Sequence, residues 1–236
     1  MNNTWFNVTK INKYIYAIAE FSHWEKVISY LVVDNHKSIL IDSGMGYKSI
    51  RNIVMKLTEI EPILILTHGH WDHMGGISEF QRVFIYGHPW EIQKIREGFI
   101  SSDIVELVDE SMFSIQFKPK KYQVKGRKDV GMIQDEDEFL YDDFKLQVIH
   151  TPGHTPGSIC LYIKSLDMIF TGDTIYPGPL YYNQPESNSD DYLASLLKLK
   201  KIISRKTVIY PGHNKITCGT EVLSAGISQL NQAKVN

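Results

Sequence analysis

The sequence predicts an α/β protein, and three observations predict it. Apolar runs of strand length, rich in β-branched and aromatic residues, recur from Tyr14 to Tyr210. Stretches with helical spacing of apolar residues are interleaved with them. Gly, Asp and His residues gather just after the apolar runs, where layered folds usually build their sites. At 236 residues, 43% of them apolar and 22% charged, the chain can bury a substantial core without disulfides. No Pro-, Gly- or Ser-rich linker divides it, so the expectation is one domain over 1–236.

Taken in order, Tyr14–Ala17 and Val27–Val33 read as strands, and Ser38–Ile41 is a short buried strand ending on Asp42-Ser43-Gly44. Ile50, Ile53, Val54 and Leu57 fall at i, i+3, i+4 and i+7, which predicts a helix. Ile63–Leu66 is another buried strand. Gly75–Gln81 is expected to open a short helix, and Val83–Tyr86 to form a strand. Residues 96–143 are the least regular, and their apolar residues from Phe99 to Phe117 suggest a helical and hairpin insertion near the site. Lys145–Ile149, Ile159–Ile163 and Met168–Thr171 read as strands, Tyr192–Ile203 as a helix, Val208–Tyr210 as the last strand and Gly219–Ala233 as the last helix. Each half sets an Asp after an apolar strand, Asp42 and Asp173, and a histidine after a later one, His68 and His213. That is a weak internal symmetry.

A formal net charge of −2 argues against a nucleic-acid partner, which calls for a basic excess. One local exception is the run Lys118, Lys120, Lys121, Lys125, Arg127 and Lys128. It reads either as a solvated edge or as an anion site for a phosphorylated substrate. No apolar run approaches a membrane span of roughly 20 residues, so no membrane association is expected. The N-terminal residues lack a secretory pattern, and Cys160 and Cys218 read as thiols in a reducing cytoplasm.

The chemistry concentrates in Thr67-His68-Gly69-His70-Trp71-Asp72-His73. Four candidate ligands in six residues suit zinc, iron or manganese. On an extended chain, alternate residues share a side. His68, His70 and Asp72 would then converge, His73 would aim elsewhere, and Trp71 would face the core. Clustered imidazoles beside a carboxylate serve no packing purpose that apolar residues would not serve better. His23, His36 and His88 stand alone and read as satisfied structural groups. Further ligands must come from other strand ends, with His150, His154, Asp173 and His213 as candidates.

The run His-x-His-x-Asp-His, with Pro-Gly-His-Thr-Pro-Gly at 152–157, Thr-Gly-Asp-Thr at 171–174 and Pro-Gly-His at 211–213, resembles the metallo-β-lactamase superfamily. The resemblance extends from the strand ending at Asp42 to His213. It implies a four-layered αββα sandwich and two divalent metal ions. Carried over by position, His68, His70 and His154 would hold one metal, Asp72, His73 and His213 the other, and Asp173 would bridge them. His150 is then structural. Asp42 matches the family's early aspartate and would receive an imidazole N–H, fixing a ligand's tautomer and aim. A hydroxide held between the metals is implied, with Asp72 as proton acceptor or shuttle. Tyr176 stands three residues after Asp173, a spacing also found in the superfamily's acyl-homoserine lactonases, and is a candidate to contact the substrate carbonyl.

The metal motif does not choose the substrate. No position matches the cysteine ligand of some β-lactamases. Only Asn214–Asn236 follow His213, which leaves no room for the C-terminal helical domain of glyoxalase II proper. Within the glyoxalase II-like branch, the chain is most similar to metallo-β-lactamase-domain proteins of the acyl-CoA thioesterase kind. Gly157-Ser158-Ile159-Cys160-Leu161, Phe170–Asp173 with Tyr176 and Gly178, Asp190-Asp191-Tyr192 and Gln81-Arg82-Val83 carry that likeness. The expectation is a zinc hydrolase of an acyl-CoA-like thioester, with the basic run on the coenzyme phosphates and the apolar insertion over the acyl chain. A lactonase is the alternative. A β-lactamase, a phosphodiesterase, a mononuclear persulfide dioxygenase and a non-catalytic metal-binding regulator are lesser ones. A homodimer through the insertion is compatible with the sequence.

Overall fold

A computed structural model describes residues 5–100 and 122–233. The chain folds as two compact units, one drawn from Met1–Gly87 and Glu91–Met132, the other from His88–Trp90 and Ile133–Asn236. The fold is α/β, as the sequence predicts.

The first unit is built on a seven-stranded sheet. Strands β1 (Asn7–Lys10), β2 (Ile15–Ala19), β3 (Ile28–Val33) and β4 (Ser38–Ile41) run antiparallel in sequence order. After helix α1 (Arg51–Leu57), strand β5 (Ile63–Ile65) returns parallel to β4, pairing Ile41 with Ile65. Helix α2 (Trp71–Met74) follows at once, and β6 (Ile85–Gly87) lies parallel beside β5. Helix α3 (Ile92–Glu97) leads to a two-stranded ribbon of β7 (Gly98–Phe99) and β8 (Val124–Lys125), and β9 (Val130–Met132) adds a last parallel strand to β6. Every residue of β4 is buried, as a strand covered on both faces requires. The core gathers Leu31, Leu40, Leu64, Trp71, Phe80 and Ile95.

The second unit repeats the plan with five strands. β10 (Glu138–Leu140), β11 (Lys145–His150), β12 (Ile159–Ile163) and β13 (Met168–Gly172) run antiparallel. Helix α4 (Ser189–Ile202) crosses over, and β14 (Val208–Pro211) returns parallel to β13. Helix α5 (Glu221–Ala233) ends the described chain. Tyr192, Leu196 and Leu199 of α4 pack with Leu223 and Leu230 of α5 and with Ile169 and Ile209 of the sheet.

Two expectations need correction. The helix expected over 75–81 is a single 3-10 turn, Ile77–Glu79, and the α-helical turn lies earlier, at α2. Gly75 and Gly76 are poor helix formers. Gly75 is needed there for contact, since a Cβ would stand 2.1 Å from the Met45 carbonyl carbon. The chain is also not extended through Asp72, because α2 begins at Trp71. Of the expected insertion, the hairpin part is β7 with β8. Residues 101–121, where the helical part and most of the apolar cover were expected, lie outside the described residues.

Candidate metal-binding residues

In each unit the chemistry gathers where antiparallel pairing gives way to parallel. Parallel neighbours end on the same side of a sheet, so residues just past them meet. Asp42 follows β4 and His68 follows β5; Asp173 follows β13 and His213 follows β14. Backbone bonds tie the pairs just beyond the ladder, Asp42 N–H to Ile65 O at 3.0 Å and Gly212 N–H to Gly172 O at 2.9 Å.

In the first unit, Asp42 adopts the left-handed region at φ +58°, which costs a non-glycine residue roughly 1–2 kcal/mol. The turn aims its buried carboxylate back at the chain after β5. That carboxylate accepts Thr67 N–H at 2.8 Å, Thr67 Oγ1–H at 2.9 Å and His73 Nδ1–H at 2.8 Å. His70 caps α2 with extended backbone and accepts the amides of His73 and Met74, both at 3.1 Å. This one turn of helix puts Asp72 and His73 side by side, with His73 Nε2 3.7 Å from Asp72 Oδ2. The His68 ring centroid lies 4.6 Å from that of His70 and 4.3 Å from that of His73. Ligand atoms of His68 and His70, of His68 and His73, and of Asp72 and His73 fall within 4.8 Å of one another. His70 is half-buried and the others are buried. Trp71 packs in the core, as expected.

Three supports here went unread in the sequence. Glu91 is buried, and its carboxylate accepts Gly69 N–H at 2.9 Å, which fixes the backbone between His68 and His70. Tyr122 hydrogen-bonds the Met45 carbonyl and reaches Trp71 O at 3.4 Å. Burial holds its hydroxyl well above the ordinary range, so it stays a donor. Glu20 accepts from Trp5 Nε1 and from Met45 N–H behind the same loop. Nothing in the spacing announced these partners, which lie 15 to 77 residues apart along the chain.

In the second unit, Asp173 is 6% exposed and faces two imidazoles. Its Oδ2 lies 3.4 Å from His154 Nε2, and its Oδ1 lies 3.0 Å from His213 Nε2. His154 Nδ1 is 3.1 Å from Tyr181 O, and a carbonyl only accepts, so Nδ1 carries a proton and Nε2 is the ring nitrogen turned toward Asp173. Tyr192 donates to the Asp173 carbonyl at 2.6 Å, and Ser187 to the His154 carbonyl at 2.8 Å. Gly153, at φ +141°, abuts α4; a Cβ there would lie 2.2 Å from Tyr192 Cα. Tyr176 has its ring centroid 5.5 Å from that of His213 and donates its hydroxyl to Pro179 O at 2.9 Å.

The donor set fits a divalent metal. In the first unit, His73 donates its Nδ1 proton to Asp42, which leaves Nε2 facing the Asp72 carboxylate. In the second, His154 turns Nε2 toward Asp173. Buried imidazole nitrogens set against carboxylate oxygens are a donor set that a divalent cation takes.

The remaining candidates fall elsewhere. His150 Nε2 donates to Pro156 O at 2.9 Å. His88, alone in the sequence, stacks on the His150 ring at 4.0 Å with the planes 9° apart. His23 is buried among Trp5, Trp24 and Trp71, and burial lowers its pKa to about 4. Of the basic run, Lys118, Lys120 and Lys121 lie outside the described residues. Arg127 is held by Asp129 at 2.7 Å and by the Phe80 carbonyl, which ties it into the fold. Both cysteines are free thiols, and burial pushes each up to about 11. Among the described residues, no helix is long and apolar enough to cross a membrane.

Residues 24–213 match the family described as the Metallo-beta-lactamase superfamily. The human acyl-coenzyme A thioesterase MBLAC2 is 29% identical over 201 residues, covering 78% of this chain and 71% of that protein. A metallo-beta-lactamase from Pontibacter korlensis superposes with a TM-score of 0.71 at 18% identity, covering 96% of this chain and 99% of its own. TTHA1623, solved in a di-iron-bound form, superposes with a TM-score of 0.67 at 22% identity, covering 85% of this chain and 93% of its own.

Proposed function

The chain belongs to the metallo-beta-lactamase superfamily, and from that premise we propose that it is a binuclear metal-dependent hydrolase of an acyl-CoA-like thioester. The carrying observation is the pairing of buried carboxylates with imidazole nitrogens in each unit, Asp72 with His73 and Asp173 with His154 and His213. The likeness to an acyl-CoA thioesterase supports the substrate class. We take residues 1–236 as one domain of this fold with an insertion at about 96–143.

In this reading His68, His70 and His154 would hold one ion, Asp72, His73 and His213 would hold the other, and Asp173 would serve both. Zinc suits the donors, as do iron and manganese. Divalent metals held there would supply Lewis acidity and lower the pKa of coordinated water to about 7. The chain's own residues do the rest. Asp42 fixes the tautomer of His73. Asp72 takes the proton of the attacking water and returns it to the departing sulfur as the C–S bond breaks, leaving a carboxylic acid and a thiol. Tyr176, buried beside His213, turns its hydroxyl from Pro179 O to the carbonyl oxygen as charge develops there. The same tyrosine favours a lactonase as the second reading.

A panel of acyl-CoAs, glutathione thioesters, homoserine lactones, a cephalosporin and a phosphodiester, run on metal-loaded protein, tests this. Acyl-CoA should turn over fastest, and elemental analysis should give two metals per chain. Turnover of lactones without acyl-CoA would select the lactonase, and one iron per chain would refute the binuclear site. Tyr176→Phe should lower kcat on the order of 100-fold with KM little changed; an unchanged kcat removes Tyr176 from the chemistry.

A further inference from the structure

We propose that Thr67 is a positioning residue that relays Asp42 to His68, so that one carboxylate sets the ring proton of an imidazole in each metal position. The proposal rests on the binuclear reading, in which His68 and His73 serve different ions.

The argument is a count of protons. Thr67 Oγ1 lies 2.9 Å from Asp42 Oδ2 and 3.1 Å from His68 Nδ1. A hydroxyl carries one proton and two lone pairs, and a carboxylate only accepts. The hydroxyl proton therefore goes to Asp42. The contact with His68 is then a hydrogen bond only if His68 Nδ1 carries the ring proton and donates it to the Thr67 lone pair. That leaves His68 Nε2 as the ligand atom. The opposite arrangement, with the hydroxyl donating to His68, would set two oxygens 2.9 Å apart with no proton between them. All three residues are buried, so water does not readily take over either bond. The Thr67 amide, 2.8 Å from Asp42 Oδ1, fixes the threonine backbone and keeps its hydroxyl in place.

Asp42 reaches His73 directly, at 2.8 Å, and His68 through one hydroxyl. Serine at position 67 keeps the relay. Valine has nearly the same shape and has no hydroxyl. Loss of a group that orients a metal ligand typically costs 10–100-fold in metal affinity. Loss of the Thr67 hydroxyl should fall on the ion of His68, and loss of the Asp42 carboxylate on both.

The test uses the zinc-loaded 236-residue chain and its Thr67→Val, Thr67→Ser and Asp42→Asn variants. Zinc release to a competing chelator is followed equivalent by equivalent, and the His68 ring N–H by nitrogen-15 NMR. Thr67→Val should weaken one of the two zinc equivalents by about 10–100-fold and speed exchange of the His68 ring proton with water. Thr67→Ser should match the parent in both readouts, and Asp42→Asn should weaken both equivalents. A Thr67→Val protein with both equivalents and ring-proton protection at parent level overturns the relay. So does a parent protein whose His68 proton sits on Nε2, a result independent of whether any variant folds. A parent that releases a single equivalent refutes the binuclear reading, and the ring-proton measurement still decides the relay.

Discussion

At the scale of the residue, Glu20 shows how a carboxyl supporting the site alters stability with pH. Burial pushes its pKa up to about 7 from an ordinary 4.5, against the hydrogen bonds from Trp5 and Met45; the charges of Asp72 and Glu79 add to the rise. The folded chain thus holds this proton to higher pH than the unfolded chain. Its contribution is fully present below pH 4.5 and is lost as pH rises through about 7. The loss is on the order of 3 kcal/mol. Glu20→Gln should therefore gain stability relative to the parent between pH 5 and 8, measured by urea denaturation at matched metal loading. A difference that does not vary with pH would refute the assignment. The candidate ligands were readable at this scale because histidines and aspartates clustered beside glycine are unusual in a strand-rich chain. Glu91, Tyr122 and Tyr192 were not, because an ordinary Glu or Tyr gains its role only from the group it meets after folding.

At the scale of the element, strands β4 and β12 match their expected bounds, because a continuous apolar run bounded by polar residues is a local signal. Helix α4 starts at Ser189, three residues before the apolar pattern begins, because Asn188 caps it, accepting the amides of Asp190 at 2.9 Å and Asp191 at 3.1 Å. Asn188 N–H also donates to Gly153 O at 2.8 Å, so the cap anchors the loop that carries His154. Asn188→Ala should cost about 1 kcal/mol, and Asn188→Asp should recover most of it. Thermal unfolding of the two variants checks this, and an alanine variant as stable as the parent would count against the cap. Strands β1 and β9 escaped the sequence reading, since β9 is only Val-Gly-Met and is a strand by virtue of pairing with β6. Helix α2 escaped it as well: a single turn has too few residues to show a period, and its turn is what sets Asp72 beside His73.

At the scale of the whole molecule, each unit follows one plan, an antiparallel meander that switches to parallel pairing, with Asp and His at the switch. A ligand that binds only the folded chain stabilises it, by about 2.7 kcal/mol at a free concentration of 100 times Kd. Zinc added to chelator-treated protein should raise Tm, excess chelator should reverse the rise, and Asp173→Asn should abolish most of it. A Tm indifferent to zinc would refute metal binding by these residues. The sequence by itself determined the fold class, most strands, the family resemblance and the candidate ligands, because alternation, helical period and motif spacing are written in neighbouring residues. Tertiary structure alone decided that Asp42 meets Thr67 and His73, that Glu91 holds Gly69, and that Asp173 faces His154 and His213. Those meetings depend on which strands pair and in which direction, and pairing is chosen by the burial of the whole sheet rather than by any stretch of the chain.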